Sequence, residues 1–597
     1  MLLEILPIVP LVITALAIFP MRKGYRYMGY ASLAASLLSL LVIAYIFLYV
    51  PEGMSSMPWF AVGGFTFSIA TSTFALNKML LLLVGIITPL ILTYSIGFMD
   101  VLSEQPRYYF EMLVFASSMM LFSVAANLIL IFLAWEMLGI TSYLLIGFWY
   151  HKPNAPGAAR KAITTILIGD VALLAAIVIL WNAYHTMNIY AILSAPSGAA
   201  LPFALILILV AAFTKSAQFP FHEWLSDAME GPTPVSAFLH SSTMVKAGVF
   251  LIAVLLPLFA HAGLLWVLVS VGLVTAAIGA ANALTSHHIK KILAYSTIED
   301  LALMFVALGL NAILAAMLFF IVQAFYKALL FMSAGSMMKA NNGEEDIYKI
   351  YGSYKNKLLL ATAAIGAISL AGVFPLSGFF GKVAIDTSAA NNFVVYAVIS
   401  IIELASSLYI FRWLFIPARK PAQSKDFALG ERYSHLPKTM LAPAVVLAAL
   451  VFIGSAAYFM LPSFIVPTQY VQIPYGLRIG VLDAAIETVL VALGLYFAYY
   501  LFRKGNASRL PSKTPLRYLL YNSPAVNRFY DYVVAAAMAV ARGFYRADFS
   551  IYSVIKAGAR GLLGIDDGIR LSVNGQVNRY LMAFIIGLIL LVLFLAI

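Results

Sequence analysis

The chain has 597 residues, of which 63% are hydrophobic and only 10% charged, and its mean hydropathy is +0.95. This composition lies far outside that of soluble domains and indicates an integral membrane protein. The sequence has no cysteine, dinucleotide fingerprint, Walker loop or His-Glu metal motif, which argues against disulfides, Cys-ligated metals and cofactor chemistry on this chain. We interpret the formal net charge of +12 as a signal of membrane orientation, with no nucleic-acid partner expected.

Apolar stretches of about 20 residues, long enough to cross a bilayer as helices, recur along the whole chain. They predict about sixteen transmembrane helices, near residues 2–20, 28–50, 76–98, 111–126, 128–149, 162–182, 200–222, 235–258, 262–284, 291–311, 313–338, 358–389, 392–416, 440–463, 480–502 and 580–597. The first stretch lacks the basic leader and cleavage site of a secretory signal, so we expect a retained span. The expected fold class is all-α, a polytopic membrane protein.

The loop charges predict the orientation of these helices. With the N-terminus on the outer side, Lys78 and Arg478 are the only loop cations that fall outside, and the other basic loop residues fall in the cytoplasm. This distribution follows the positive-inside rule. We therefore expect a multi-pass protein of the cell membrane with both termini on the outer side.

Residues 523–575 have a different character, because their charges recur at helical spacing. At 100° per residue, one arc of roughly 80° holds Arg528, Asp531, Arg542, Arg546, Lys556 and Arg560. The pattern predicts a long lateral amphipathic helix on the cytoplasmic surface, followed by a terminal anchor at 580–597. An ordinary membrane-surface linker is the alternative.

Several ionisable residues fall inside the predicted spans, where a charge costs at least about 2.5 to 3.5 kcal/mol. They are Glu136, Asp170, Lys215, His240, Lys246, Lys327, Lys382 and Glu403. Such residues mark transport pathways, proton relays or paired structural sites. This number of acids and lysines favours a pathway.

Two of the lysines lie near prolines within their spans. Lys215 precedes Pro220 by five residues, and Lys382 follows Pro375 by seven. Because proline removes a helical hydrogen bond, both helices are predicted to be discontinuous. One lysine lies before its break and the other after it, as expected for two repeats of inverted topology. Two unrelated proline kinks are the alternative.

Buried lysine suits proton transfer, because burial disfavours the ammonium and a nearby carboxylate favours it again. Glu136 is the partner we predict for Lys215, either in a relay or in a static ion pair. Asp170 could pair with a lysine of the relay or anchor a helix. Lys327 could pass protons between the two halves or be a structural lysine bonded to carbonyls.

The remaining candidates are more ambiguous. His240 is followed by hydroxyl residues that could hold water, although a satisfied core histidine is possible. On a continuous helix, Lys246 lies about 240° around from His240 and would face a different cavity, so relay and structure are equally favoured. Glu403 could act at the exit or pair structurally with Arg412, nine residues on.

Five segments carry a resemblance to a known family. They are "LAWEMLGITSYLLIGFW", "KSAQFPFHEWLSDAMEGPTPVSAFLHSSTMVKAGVFLIA", "KKILAYST", "FYKALLFMSAGS" and "FPLSGFFGK", in that order. They resemble the antiporter-like subunits of respiratory complex I, the L type above all, and related subunits of Mrp sodium/proton antiporters and membrane-bound hydrogenases.

The resemblance implies a proton channel of two inverted five-helix repeats. Matched by motif, the implied proton-transfer residues are Glu136 as modulating glutamate, Lys215 as its partner, His240 and Lys327 as central connectors, Lys382 at the exit and Asp170 at an acidic position. The implied organisation is 1–110 (N-terminal helices), 111–258 and 262–416 (repeats), 440–502 (C-terminal helices), 523–575 (lateral helix) and 580–597 (anchor). L-type members end in such a lateral helix and final span.

Three features depart from the family pattern. Phe319 and Gln323 replace histidines that often precede the "FYK" lysine, and Val383 stands where an acid often follows the exit lysine. We expect the exit to use Asp386 instead. Glu299 and Asp300 occupy positions that are more usually polar and neutral.

The expected function is proton translocation coupled to redox chemistry on other subunits. Flavin, iron-sulfur clusters and quinone are expected on those partners, and no cofactor on this chain. The lateral helix is expected to contact further antiporter-like subunits. The alternatives are an Mrp-type sodium/proton antiporter subunit, a membrane-bound hydrogenase subunit, or a clamp that braces a complex without conducting protons.

Overall fold

The computed structural model describes residues 3–503 except 22–23, 26, 63–64, 195, 197, 242, 421–422 and 466–476. The described parts of Met1–Ser56 and Ala70–Tyr521 form one compact unit, and Met57–Ile69 is assigned to a second unit. The predicted lateral helix at 523–575 and anchor at 580–597 lie outside the described residues. The predicted domain boundaries stay predictions, and 111–258 and 262–416 belong to the same compact unit.

The N-terminal part contains eight helices and two strands. They are α1 (Ile8–Ile18), α2 (Tyr27–Tyr49), β1 (Met54–Val62), β2 (Phe65–Ser72), α3 (Ala75–Phe98), α4 (Gln105–Val124), α5 (Leu128–Ile146), α6 (Ala155–Tyr184), α7 (Ile189–Ser194) and α8 (Leu201–Lys215).

The rest of the described chain is helical. The middle helices are α9 (Glu223–Asp227), α10 (Thr233–Ser241), α11 (Met244–His261), α12 (Leu265–Thr285), α13 (Ile289–Gly309) and α14 (Ile313–Ala340). The later helices are α15 (Lys357–Ala371), α16 (Ser377–Ala389), α17 (Phe393–Phe415), α18 (Gln423–Ser434), α19 (Lys438–Ile453), α20 (Ala457–Phe464) and α21 (Val481–Ala498). Short 3-10 turns occur at Leu3–Ile5, Leu102–Glu104, Ala228–Glu230, Ser353–Lys355 and Gly454–Ala456, and a π turn at Tyr499–Arg503.

Eleven helical segments among the described residues are long and apolar enough to cross a membrane. They are α2, α3, α5, α6, α10 with α11, α12, α13, α14, α17, α19 with α20, and α21 with the π turn. The prediction of a polytopic helical membrane protein is therefore confirmed. The count of sixteen spans stays a prediction.

A two-stranded sheet of β1 and β2 interrupts the otherwise helical fold, so the all-α prediction missed one element. Residues 65–73 read FTFSIATST, an alternating pattern rich in aromatic and β-branched residues that favours extended backbone. At the end of β2, the Thr71 hydroxyl donates to a Glu4 carboxylate oxygen at 3.2 Å. Ser55 of β1 donates to the other oxygen at 3.0 Å, so Glu4 is satisfied.

Both interruptions predicted at prolines are present. Helix α8 ends at Lys215 and α9 begins at Glu223, with Pro220 between them. Likewise α15 ends at Ala371 and α16 begins at Ser377, with Pro375 between them. Interrupted helices leave backbone groups that need partners inside the protein. One such group at the first break is the Thr214 carbonyl, which accepts a hydrogen bond from the Trp224 indole at 2.9 Å.

A third interruption follows His240 and was not predicted. Helix α10 ends at Ser241 and α11 begins at Met244, with Thr243 in a non-helical conformation at φ −120° and ψ −125°. The angular argument that separated His240 from Lys246 assumed a continuous helix. It therefore does not hold.

The innermost helices are α13 and α14. Of the 18 most apolar consecutive residues in each of these helices, 94% are buried inside the protein, whereas the corresponding share in α2 is 33%. α13 packs between α12 and α14, α6 packs against α5 and α8, and α17 packs against α16 and α21. Charged side chains on these inner surfaces face protein and not lipid. This arrangement places the candidate site along the protein interior.

Candidate functional site

Twelve ionisable side chains in the protein interior fall into three groups. The N-terminal group consists of Glu136, Asp170 and Lys215; the central group of His240, Lys246, Glu299, Asp300 and Lys327; and the C-terminal group of Lys382, Asp386, Glu403 and Glu487. All are buried except Glu136, which is half-buried. All seven site residues predicted from the sequence belong to one of these groups.

In the N-terminal group, the buried ammonium of Lys215 lies at the end of α8, against α5 and α6. Its Nζ lies 3.6 Å from Oδ1 of Asp170 and donates to the Trp135 carbonyl at 2.9 Å. The Trp135 indole in turn donates to the same Asp170 oxygen at 2.8 Å. Gly139 leaves room for the ammonium, since a Cβ there would lie 3.1 Å from Nζ. The lysine, indole and carboxylate thus form one enclosed network.

The structure does not show the static ion pair of Glu136 with Lys215 that was one of the two alternatives, and the relay stays a prediction. Asp170 is the acid within ion-pair distance of Lys215, whereas Glu136 interacts with both residues through longer-range electrostatics. Glu136 lies one residue after Trp135, so its backbone carries it towards a different side of α5. Its role as the modulating glutamate stays a prediction.

Lys327 and Asp300 form the ion pair of the central group. The Lys327 Nζ lies 3.0 Å from Oδ2 of Asp300 and donates to the Ser296 hydroxyl at 2.5 Å. The Tyr326 hydroxyl donates to the same Asp300 oxygen at 3.1 Å. Both charged residues are at most 1% exposed. Asp300 was noted in the sequence as a departure from the family pattern, and here it is the counter-ion of the central lysine.

Glu299 reaches from α13 towards α17. Its carboxylate accepts hydrogen bonds from the Tyr409 hydroxyl at 3.0 Å and from the Ser406 hydroxyl. Neither Glu299 nor Asp300 was included among the predicted site residues. Two adjacent acids inside an apolar span were the signal that could have identified them.

His240 and Lys246 line the same central region as Gln323. The imidazole of His240 stacks on Phe331 with ring centres 4.7 Å apart, and neither ring nitrogen has a hydrogen-bond partner among the described residues. The Gln323 amide donates to the His240 carbonyl at 3.4 Å. Lys246 donates to the Phe320 carbonyl, and its Nζ lies 4.5 Å from that ring centre. Lys246 therefore has carbonyl and ring contacts, without an ion-pair partner among the described residues.

The C-terminal group gathers acids from three helices around Lys382. The Lys382 Nζ lies 3.8 Å from Oε1 of Glu487, and oxygens of Asp386, Glu403 and Glu487 all lie within 4.8 Å of one another. Sequence reasoning named Asp386 as the exit acid, left Glu403 open and missed Glu487. The two acids Asp483 and Glu487 in the otherwise apolar span 480–502 were the available signal.

Arg412 does not pair with Glu403. Its Nη2 donates to the carbonyls of Ala283 at 2.9 Å and Ser286 at 2.7 Å, at the end of α12. These bonds satisfy carbonyl groups that a helix end leaves free. The structural alternative for Glu403 as a partner of Arg412 is therefore excluded.

The rim beyond α8 carries partly exposed ion pairs. Lys161 lies 2.9 Å from both Glu223 and Asp227, and Lys291 lies 3.4 Å from Asp227. A polar cleft of about 390 Å³ beside these residues is also lined by Asn154. Water can therefore approach the protein at this surface.

A polar contact between Glu345 and His288 connects the loop after α14 to the start of α13. The Glu345 carboxylate lies 2.9 Å from Nε2 of His288, whose Nδ1 accepts the Lys290 amide at 3.2 Å. Burial raises the pKa of Glu345, but the His288 hydrogen bond and the charge of Lys290 outweigh burial and lower it to about 2. Burial lowers the pKa of His288, so its ring is neutral at pH 7 and donates through Nε2.

Acid should loosen this loop through Glu345. Because the folded-state pKa is depressed, the bond contributes stability above the ordinary value of 4.5 and loses it as pH falls towards about 2. Hydrogen exchange of residues 341–350 should therefore accelerate between pH 5 and pH 3 by more than the intrinsic chemistry predicts. Glu345→Gln should remove this extra pH dependence, and the same dependence in that variant would contradict the assignment.

The sequence matches the family described as NADH:quinone oxidoreductase/Mrp antiporter, transmembrane, over residues 125–407. This range contains all of the N-terminal and central groups, together with Lys382, Asp386 and Glu403. Glu487 lies outside it.

Curated relatives extend the similarity beyond this range. NADH-quinone oxidoreductase subunit L of Campylobacter jejuni is 31% identical over 494 residues, which cover 81% of this chain and 80% of the relative. Chloroplastic NAD(P)H-quinone oxidoreductase subunit 5 of Nephroselmis olivacea is 31% identical, covering 89% and 87%. The organellar subunit 5 of Paulinella chromatophora is 34% identical over 63% of this chain, and the match spans 59% of that relative.

A solved structure shares the fold. A chain in the structure of the Mrp complex from Dietzia sp. superimposes with a TM-score of 0.74 at 22% identity, covering 98% of this chain and 65% of that one. The fold, the matched family and the curated relatives agree. This chain belongs to the NADH:quinone oxidoreductase/Mrp antiporter family, among relatives named subunit L or chain 5 of NADH-quinone oxidoreductases.

Proposed function

We propose that this chain is the proton-translocating membrane subunit of a complex I-type oxidoreductase that passes electrons from NADH or a related donor to a quinone. The observation that carries this proposal is the pairing of acids with lysines inside the protein, where Lys215, Lys327 and Lys382 are each at most 1% exposed. A charge inside a membrane protein is costly unless it is paired or functional. Three such groups recur along one chain, each built around a lysine.

Each group can load and release a proton by the same physical means. Burial disfavours an ammonium, and a carboxylate at ion-pair distance stabilises it. Lys215 has Asp170, Lys327 has Asp300, and Lys382 has Glu487 in this position. When the influence of the carboxylate weakens, the lysine releases its proton to the next acceptor. The ring nitrogens of His240, which have no hydrogen-bond partner among the described residues, can pass a proton between Lys215 and Lys327.

The relatives support the placement of this subunit in a larger assembly. They are named as subunits of NADH-quinone oxidoreductases. We place the flavin, iron-sulfur clusters and quinone on partner subunits and the proton route on this chain, which makes the chain a translocase subunit without its own redox centre. The partners are other membrane subunits, including further antiporter-like subunits contacted by the lateral helix at 523–575.

We also propose the detailed transmembrane architecture that the sequence predicts. It comprises sixteen spans, inverted five-helix repeats at 111–258 and 262–416, outer termini, a cytoplasmic lateral helix and a terminal anchor at 580–597. The interruptions at Pro220 and Pro375 support the repeats, because each lies beside a lysine with an acidic partner.

An Mrp-type sodium/proton antiporter subunit is the second candidate, with a membrane-bound hydrogenase subunit as its relative. The fold match to a chain of an Mrp complex favours it. The buried carboxylates of the C-terminal group add oxygen ligands of the kind that alkali cations accept. The two candidates differ in what crosses the membrane and in what drives the movement.

Sealed vesicles that contain the intact complex separate these candidates. We expect addition of an electron donor and a quinone to drive proton movement in sodium-free buffer. A pH gradient that forms only when sodium is present would favour the antiporter instead. Electron transfer with no proton movement in either buffer would favour the remaining alternative, a subunit that braces the complex without conducting protons.

A further inference from the structure

The C-terminal group contains more acid than its lysine can neutralise. Asp386 on α16, Glu403 on α17 and Glu487 on α21 are 3%, 2% and 1% exposed. One oxygen of each lies within 4.8 Å of the others, and Lys382 is the cation beside them. If all three acids were ionised, the group would enclose two uncompensated negative charges.

Hydrogen bonding leaves the same imbalance. Glu403 lies within hydrogen-bonding reach of Asp386 and Glu487 once one carboxyl is protonated. When all three acids are ionised, both oxygens of Glu403 and Glu487, and Oδ1 of Asp386, have no hydrogen-bond partner among the described residues. The Lys382 Nζ, 1% exposed and directed at this group, also has none. Buried carboxylates at this spacing cannot all be ionised, whereas a protonated carboxyl can donate to a neighbouring carboxylate. Protons bound between the acids resolve both the charge and the missing hydrogen bonds.

We propose that Asp386, Glu403 and Glu487 form a proton-sharing carboxyl centre that receives protons from Lys382. This inference rests on the proposed function and identifies the acceptor at the end of the route. The three acids take the place of the acid that is missing at Val383. A proton bound to Lys382 moves to a carboxylate, which leaves a neutral amine and a neutral carboxyl, so charge and atoms balance.

The fold brings Glu487 into this centre through the second helix interruption. Gly372 ends α15 with φ +88°, a conformation that favours glycine. A Cβ at Gly372 would lie 2.2 Å from Oε1 of Glu487 and 3.1 Å from Cδ of Lys382. Because Gly372 has no side chain, the backbone at the break leaves room for the Glu487 carboxylate beside Lys382. Glu487 belongs to the same centre although it lies outside the matched family range.

Asp483 provides a matched control one turn earlier on α21. Its Oδ2 accepts a hydrogen bond from the Thr387 hydroxyl at 2.8 Å, so this carboxylate has the partner that Glu487 lacks. Asp483 is also absent from the set of three mutually close acids. Asp483→Asn changes the same chemical group on the same helix without removing a member of the centre.

Infrared spectroscopy of the intact complex tests the centre independently of turnover. At neutral pH, we expect the wild type and Asp483→Asn to show the carbonyl stretch of a protonated buried carboxyl, shifted in heavy water, and Glu487→Gln to lose or shift this band. Proton transfer through this chain should fall in Glu487→Gln by on the order of 10²-fold, the lower end of what a positioned acid–base group contributes. If Glu487→Gln fails to assemble, Glu403→Gln provides the same two readouts.

Two outcomes would overturn the proposal. One is a carboxyl band in Glu487→Gln and Glu403→Gln that equals that of the wild type. The other is loss of the wild-type band on addition of sodium at constant pH, which would show that the acids hold a metal cation. If the complex pumps no protons at all, the proposed function fails, yet the infrared band still reports whether the acids share protons.

Discussion

Replacement of Asp300 by asparagine should both destabilise the protein and stop proton movement through this chain. The change leaves Lys327, which is fully buried, without the carboxylate 3.0 Å from its Nζ. Removal of one partner of a buried ion pair costs about 3–5 kcal/mol, since the remaining charge is uncompensated. Thermal unfolding of the detergent-solubilised complex and proton pumping in vesicles measure the two effects.

A double variant separates the two effects. Asp300→Asn combined with Lys327→Met removes the unpaired charge, so stability should recover most of the loss. Proton pumping should stay lost, because neither the lysine nor the carboxylate of the central ion pair remains. Recovery of pumping together with stability would show that the pair only holds the helices together. A stable Asp300→Asn variant with normal pumping would remove Asp300 from the route.

Replacement of Lys215 by alanine should lower the number of protons moved per electron while the redox subunits still transfer electrons. Lys215 is the only ammonium that the described residues place beside Asp170 and Trp135. Alanine cannot carry a proton between them. Quinone reduction in the presence of an uncoupler reports electron transfer, and vesicle acidification reports pumping.

Lys215→Arg distinguishes a relay from a static ion pair. Arginine keeps the positive charge but does not release its proton in proteins. A relay therefore predicts that Lys215→Arg pumps as poorly as Lys215→Ala, whereas a static pair predicts rescue. Lys78→Ala is a suitable control, because this buried lysine bonds the Val50 carbonyl and lies outside the three groups.

Hydropathy and proline positions were sufficient to predict the membrane class and two of the interruptions. Both features depend on local sequence. The length of an apolar stretch determines whether a helix can cross the membrane, and proline removes a backbone hydrogen-bond donor. The break after His240 could not be predicted in this way. No proline lies between Ser241 and Met244, so the rule that located the other two breaks gives no signal here. The sheet was missed because a search for apolar helical runs ignores a short alternating segment.

The sequence identified individual site residues, but it did not predict which acid pairs with which lysine. Each buried lysine was visible as a charge within an apolar span, but the partner depends on which helices pack together. Asp170 and not Glu136 meets Lys215 because α6 packs against α8. Glu487 meets Lys382 from α21, more than a hundred residues away in sequence. Only the fold supplies such contacts.

The central claim is that the three groups form one route in series. A comparison of the proton-to-electron ratio of the complex carrying Lys215→Ala, Lys327→Ala and both changes together tests it most directly. If both lysines lie on one route, blocking that route at two points lowers the proton-to-electron ratio no more than blocking it at one. The double variant should therefore match the single variants. A further drop in the double variant would reveal two independent routes. Ratios equal to the wild type in all three variants would show that these lysines carry no protons.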